Sequence, residues 1–158
     1  MAVYNLHRRA ISATARTPEE LGRLLDSLAS PDDALWPHDR WPRMRLDRPL
    51  GVGAAGGHGP IRYTVVAHTP GRWVRFRFSG PRGFHGFHEY TVESTPNGVV
   101  LHHLLTMRLR GAARFTWPLV WRRLHDALIE DSLDRAEGVR RSQWIPYVRM
   151  LRRALSPR

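Results

Sequence analysis

Strict alternation of apolar and polar residues dominates the middle of the chain. In "WVRFRFS", Val74, Phe76 and Phe78 share one face, with Arg75 and Arg77 on the other. In "FHEYTVE", His88, Tyr90 and Val92 stand opposite Glu89 and Glu93. In "LHHLLTMRL", Leu101, His103, Leu105, Met107 and Leu109 form the apolar face; His102, Thr106 and Arg108 point out, and Leu104 breaks the pattern. Ile61, Tyr63 and Val65 are the inward set of "IRYTVVAH". The apolar sets face one core, and the outward arginines meet outward glutamates across strands. Turn sequences "TPGR", "GPRG" and "TPNG" separate these segments. The spacing predicts an antiparallel meander of strands over 61–68, 73–79, 87–93 and 99–110.

Helical periodicity brackets the meander. A first strand is predicted over 3–12, with imperfect alternation. "TPEELGRLLDSL" follows, with Thr17 as N-cap, Pro18 at N1 and Glu20 completing a capping box. Leu21, Leu24, Leu25 and Leu28 form its stripe. Beyond Gly111 a long helix is predicted from about Pro118 to about Arg140. Its phase gathers Trp121, Leu124, His125, Leu128 and Ser132 toward the sheet. It places Arg123, Asp126, Glu130, Asp134 and Glu137 on the opposite side.

The stretch between the first helix and the meander is rich in Pro, Asp and Gly. It reads as a loop or short helix carrying Trp36 and Trp41, with a strand near 44–46. Both tryptophans are expected at the rim or core of an entrance loop. "GVGAAG" matches the dinucleotide GxGxxG pattern in letters only, because a strand rather than a helix follows it. No lysine occurs anywhere, so a P-loop is excluded.

Composition narrows the class. A chain of 158 residues suits one domain. No apolar run approaches the ~20 residues of a membrane-spanning helix. The N-terminus lacks the apolar core of a secretory signal, and a cytoplasmic protein is the expectation. Absence of cysteine excludes disulfides and thiolate metal sites. The net charge of +11 comes wholly from arginine, which points to codon bias rather than to a nucleic-acid platform. Such a platform would expose aromatics, and Phe76 and Phe78 point inward. No nucleic-acid partner is expected, while the charge favours acidic partners.

Taken together, "TPEELGRLLDSL" after a first strand, the "WPHDRWP" stretch, the meander and the final helix "WRRLHDALIEDSLDRAE" resemble the SRPBCC superfamily. These are the helix-grip proteins that include StAR-related lipid-transfer domains and bacterial aromatic polyketide cyclases. The resemblance covers roughly 3–140. It implies an α+β fold, an antiparallel twisted sheet wrapped around a long C-terminal helix, with an internal hydrophobic cavity. The domain is expected over 1–141, followed by a basic amphipathic tail over 142–158.

Placed on that fold, His88, His103, His125 and Tyr90 are candidates for catalysis. Tyr63, Phe76, Phe78, Leu105, Met107, Trp121, Leu124 and Leu128 are candidates for ligand binding. Imidazoles can move protons near neutral pH, as a polyketide cyclase or dehydratase requires. Buried histidines can equally serve only to satisfy the core. A metal would need convergent imidazoles, and no inward carboxylate or HxxxH pair is evident, so neither metal nor cofactor is expected. The expected ligand is a small hydrophobic or aromatic molecule. The alternative is a non-catalytic lipid carrier. In the tail, Trp144, Tyr147, Val148, Leu151 and Leu155 fall on one side of a helix begun at Pro146. That face could rest on an anionic membrane, or pack on the domain or a second subunit. The sequence leaves the oligomeric state open.

Overall fold

The computed structural model describes residues 1–141 and 143–155. Seven strands form one antiparallel sheet: β1 (Ala2–Ser12), β2 (Arg45–Leu46), β3 (Ala55–His58), β4 (Ile61–Thr69), β5 (Trp73–Gly80), β6 (Phe84–Thr95) and β7 (Gly98–Leu109). Their order across the sheet is β1-β7-β6-β5-β4-β3-β2. The predicted meander is therefore present, and β1 pairs along its whole length with β7. The helices are α1 (Pro18–Asp26), α2 (Ala113–Thr116), α3 (Arg122–Glu137) and α4 (Pro146–Leu155). No helix of the described residues is long and apolar enough to cross a membrane.

Local chemistry explains the element ends. Thr17 caps α1, and its backbone N–H donates to Glu20 Oε2 at 2.7 Å while Glu20 N–H donates to Thr17 Oγ1 at 3.1 Å. A Cβ on Gly22 would meet Gly71 O at 2.7 Å, so glycine is what lets α1 approach the β4–β5 turn this closely. Asp26 Oδ1 fastens the contact by accepting Gly71 N–H at 2.8 Å.

The register follows the apolar alternation. Phe76 pairs with His88, His88 with Leu105, Tyr90 with His103, and His103 with His7. On the outer face Arg75 lies opposite Glu89, with Arg75 Nε 2.7 Å from Glu89 Oε2.

Three details differ from the sequence reading. "AAGGHGP" contains a short strand, β3, because its glycines pair by backbone alone. His85 belongs to β6 rather than to a turn, since that strand starts at Phe84. The long helical run also starts earlier than expected, because α2 continues without a break into α3, and it ends at Glu137 rather than near Arg140. From Trp117 to Trp121 it widens into a π-helical turn, with Arg122 N–H reaching back five residues to Trp117 O. Pro118 has no N–H to give to an α ladder, and this wider turn accommodates it.

The acidic side of α3 is not solvated as its phase suggested. β1 turns Asn5, His7 and Arg9 toward it, which is why that strand's alternation looked imperfect. Arg9 contacts Glu130, Asp134 and Glu137 at 2.8 to 3.0 Å. Asp134 is buried in this seam.

Candidate functional site

A cavity of about 390 Å³ lies between the sheet and α3, a size suited to a small organic ligand. The sheet contributes Ile61, Phe78, Phe84, His88, His103 and Leu105. The helical side contributes Trp117, Trp121, Leu124, His125, Leu128 and Ile129. Trp36, Trp41 and Pro42 come from the loop after α1, His58 from β3, and Arg152 and Leu155 from α4. The π-helical turn sets Trp117 and Trp121 four residues apart on the cavity side.

Of the residues expected from sequence, His88, His103, His125, Phe78, Leu105, Trp121, Leu124 and Leu128 line this cavity. Tyr63, Phe76, Tyr90 and Met107 do not, although all are buried. Strand alternation gives the side of the sheet, but not which inward side chains other groups cover. Tyr90 lies 2.9 Å from Ser132 Oγ through its hydroxyl, so it ties sheet to helix. Tyr63 OH sits 2.9 Å from His58 Nδ1, and its ring packs edge-on to Phe76 and His88. Met107 packs with Phe84, Leu109, Ala113 and Trp117 in a second apolar cluster. Both tryptophans of the entrance loop are buried and reach the cavity.

The imidazoles form a chain of ring contacts. His88 stacks on Phe76 and stands 5.5 Å from His103, which stands 5.1 Å from His125; His125 is 5.9 Å from His7. His103 Nε2 and His88 Nδ1 are 3.4 Å apart. His88 Nε2, His103 Nδ1 and His125 Nε2 are buried and have no hydrogen-bond partner among the described residues. Burial pushes the pKa of His88 and of His103 well below the ordinary imidazole value, so both are neutral near pH 7. Burial lowers His125 too, with Asp126 partly offsetting it.

Sequence reasoning missed His58, His7 and two carboxylates. Asp131 is buried, accepting bonds from Trp41 Nε1 at 2.8 Å, Trp144 Nε1 at 2.9 Å and Arg40 at 2.9 Å. Asp126, expected to face away, has Oδ1 3.1 Å from His7 Nε2 and 3.4 Å from His125 Nδ1. Neighbouring strands rather than helix phase decide these contacts. For His7 the one sequence signal was an ionisable residue on the inward parity of an edge-like strand.

The tail helix also differs from a free amphipathic segment. Val148 is buried, Trp144 packs on Trp41 with ring centroids 4.9 Å apart, and Leu151 packs on the core. Its apolar stripe is therefore largely spent on its own domain.

No family model and no curated protein sequence matches the chain. Solved structures do resemble it. Norcoclaurine synthase from Thalictrum is 12% identical with a TM-score of 0.63, and the match covers 87% of this chain and 95% of that one. The di-domain aromatase/cyclase StfQ of steffimycin biosynthesis is 14% identical with a TM-score of 0.59, over 87% of this chain and 50% of that one. The Aha1 protein of Colwellia psychrerythraea is 16% identical with a TM-score of 0.57, over 85% and 96%. These likenesses establish the fold: the chain is a helix-grip domain, an antiparallel sheet packed against a long C-terminal helix.

Proposed function

We propose that the cavity binds a small aromatic molecule bearing oxygen substituents, and that its imidazoles support acid–base chemistry of the cyclase or dehydratase kind. One observation carries this reading. Three buried imidazole nitrogens, on His88, His103 and His125, have no partner among the described residues and belong to residues lining an otherwise apolar cavity. Each such group costs about 1–3 kcal/mol unless something bonds to it. Hydroxyl or keto groups on a flat apolar frame would satisfy the nitrogens while the tryptophans and phenylalanines cover the rings. Neutral histidines are also the state in which a base can accept a proton. Likeness to a cyclase and to norcoclaurine synthase fits this reading.

The test compares a dihydroxyanthraquinone with unsubstituted anthraquinone in a fluorescence titration. The hydroxylated probe should bind more tightly. His88→Phe and His103→Phe should each weaken it about tenfold, leaving the unsubstituted probe unchanged. Equal loss for both probes, or no loss, would refute the polar contacts. Native mass spectrometry of the purified protein would then name a co-purified ligand. With that substrate, His125→Ala and His88→Ala should each lower turnover by about 10²-fold or more.

A second reading is a lipid carrier that docks on anionic membrane. Phe115, Leu119, Tyr147 and Met150 are exposed, and Tyr147 OH donates to Leu119 O at 2.6 Å, which ties α4 to the π-helical turn. Salt-sensitive sedimentation with phosphatidylglycerol vesicles, abolished by Phe115→Ser with Met150→Ser, would support it. Failure to sediment would remove it.

A further inference from the structure

β1 and α3 bring together His7, Asp126 and the Nδ1 atom of His125, whose other nitrogen, Nε2, is the one the cavity reading uses. His7 Nε2 and His125 Nδ1 lie 3.1 and 3.4 Å from one oxygen, Asp126 Oδ1. One ligating atom from each of these three residues lies within 4.8 Å of the other two. Donors about 2.1 Å from a tetrahedral ion stand about 3.4 Å from one another, so the two measured separations already match.

Two imidazoles and a carboxylate suit zinc and neighbouring divalent transition ions, with one coordination position left for water. The surroundings supply an outer layer of the kind such sites use. His7 Nδ1 lies 2.7 Å from Glu130 Oε1, which fixes the ring and its tautomer. Asn5 Nδ2 donates to Asp126 Oδ1 at 3.0 Å and orients the carboxylate. The same contacts also suit a protonated His7 held between Asp126 and Glu130, so an ion must displace that proton.

We propose that His7, His125 and Asp126 bind one divalent transition-metal ion, with zinc favoured by the donor types. The site lies in the seam between β1 and α3. An ion on His125 Nδ1 would leave the ring proton on Nε2. That nitrogen would then become a fixed donor, linking the metal to the cavity wall.

The experiment uses the untagged full chain, stripped with a chelator. Calorimetric titration with Zn2+ and visible absorption with Co2+ read the binding. One ion should bind per chain, and Co2+ should show the bands of a low-coordinate nitrogen and oxygen site. His7→Ala and Asp126→Asn should each weaken binding at least about 100-fold, and Glu130→Gln about tenfold. His102→Ala, whose imidazole meets Glu93 instead, should change nothing. Circular dichroism checks the fold of each variant. If His7→Ala does not fold, Asp126→Asn and Glu130→Gln decide the matter. Absence of stoichiometric binding, or binding indifferent to Asp126→Asn, overturns the proposal.

Discussion

At the scale of single residues, buried polar groups carry the sharpest consequences. Asp131 lies at 3% exposure on α3, and its two oxygens accept from Trp41, Trp144 and Arg40. The carboxylate is tolerable there only because donors surround it. Asp131→Ala strands two indole N–H groups and a guanidinium together. The expected loss is about 3–5 kcal/mol of unfolding free energy, read by urea denaturation. A loss under about 1 kcal/mol would mean that these donors find water instead.

Among the elements, the seam between β1 and α3 is polar where a helix-grip interior would suggest apolar packing. Arg9 serves three carboxylates at once and is mostly covered. Arg9→Met keeps the stem but removes the charge. It should cost about 2–3 kcal/mol, with most of the loss persisting in high salt because the network is shielded. Helix α4 is the other element whose role packing decides. Arg152 donates to Arg40 O at 2.6 Å, and its guanidinium lies 4.9 Å from the centre of the Trp144 ring. Deleting the chain from Gln143 onward uncovers Trp41 and one side of the cavity. The shortened protein should lose about 3 kcal/mol or more and gain binding of an apolar dye. Unchanged stability would show that α4 contributes little to the domain.

On the scale of the whole molecule, buried neutral imidazoles link stability to pH. The pKa of His88 is depressed well below 6.5 in the fold, while the unfolded chain takes up its proton near that value. Below about pH 6.5 the unfolded state therefore binds more protons, and stability falls as pH falls. The slope for one such group is up to about 1.4 kcal/mol per pH unit. His88→Phe, stacked on Phe76 as the imidazole is, removes that contribution. Between roughly pH 7 and 5 the melting temperature should drop less in this variant than in the parent protein. Parallel curves would show that His88 takes up its proton in the fold as readily as in the unfolded chain.

Much of the molecule was legible in the sequence. Periods of two and of 3.6 are local properties, set by covalent geometry, so the meander, α1 and α4 could be read from their own residues. The parity of His88 and His103 followed in the same way. What the sequence could not say is which inward group meets which. Tyr90 and Met107 share an inward face with His103, yet Ser132 and Trp117 cover them and leave the imidazole at the cavity. Asp126 lies off the apolar arc of its helix, yet β1 brings His7 to it from 119 residues away. The tail's apolar stripe was visible as a pattern, and only the position of Trp41 and Asp131 turned it into a packed element. Alternation selects a face within one element. Contacts between elements depend on sheet curvature and helix placement, which arise only when the whole chain is packed.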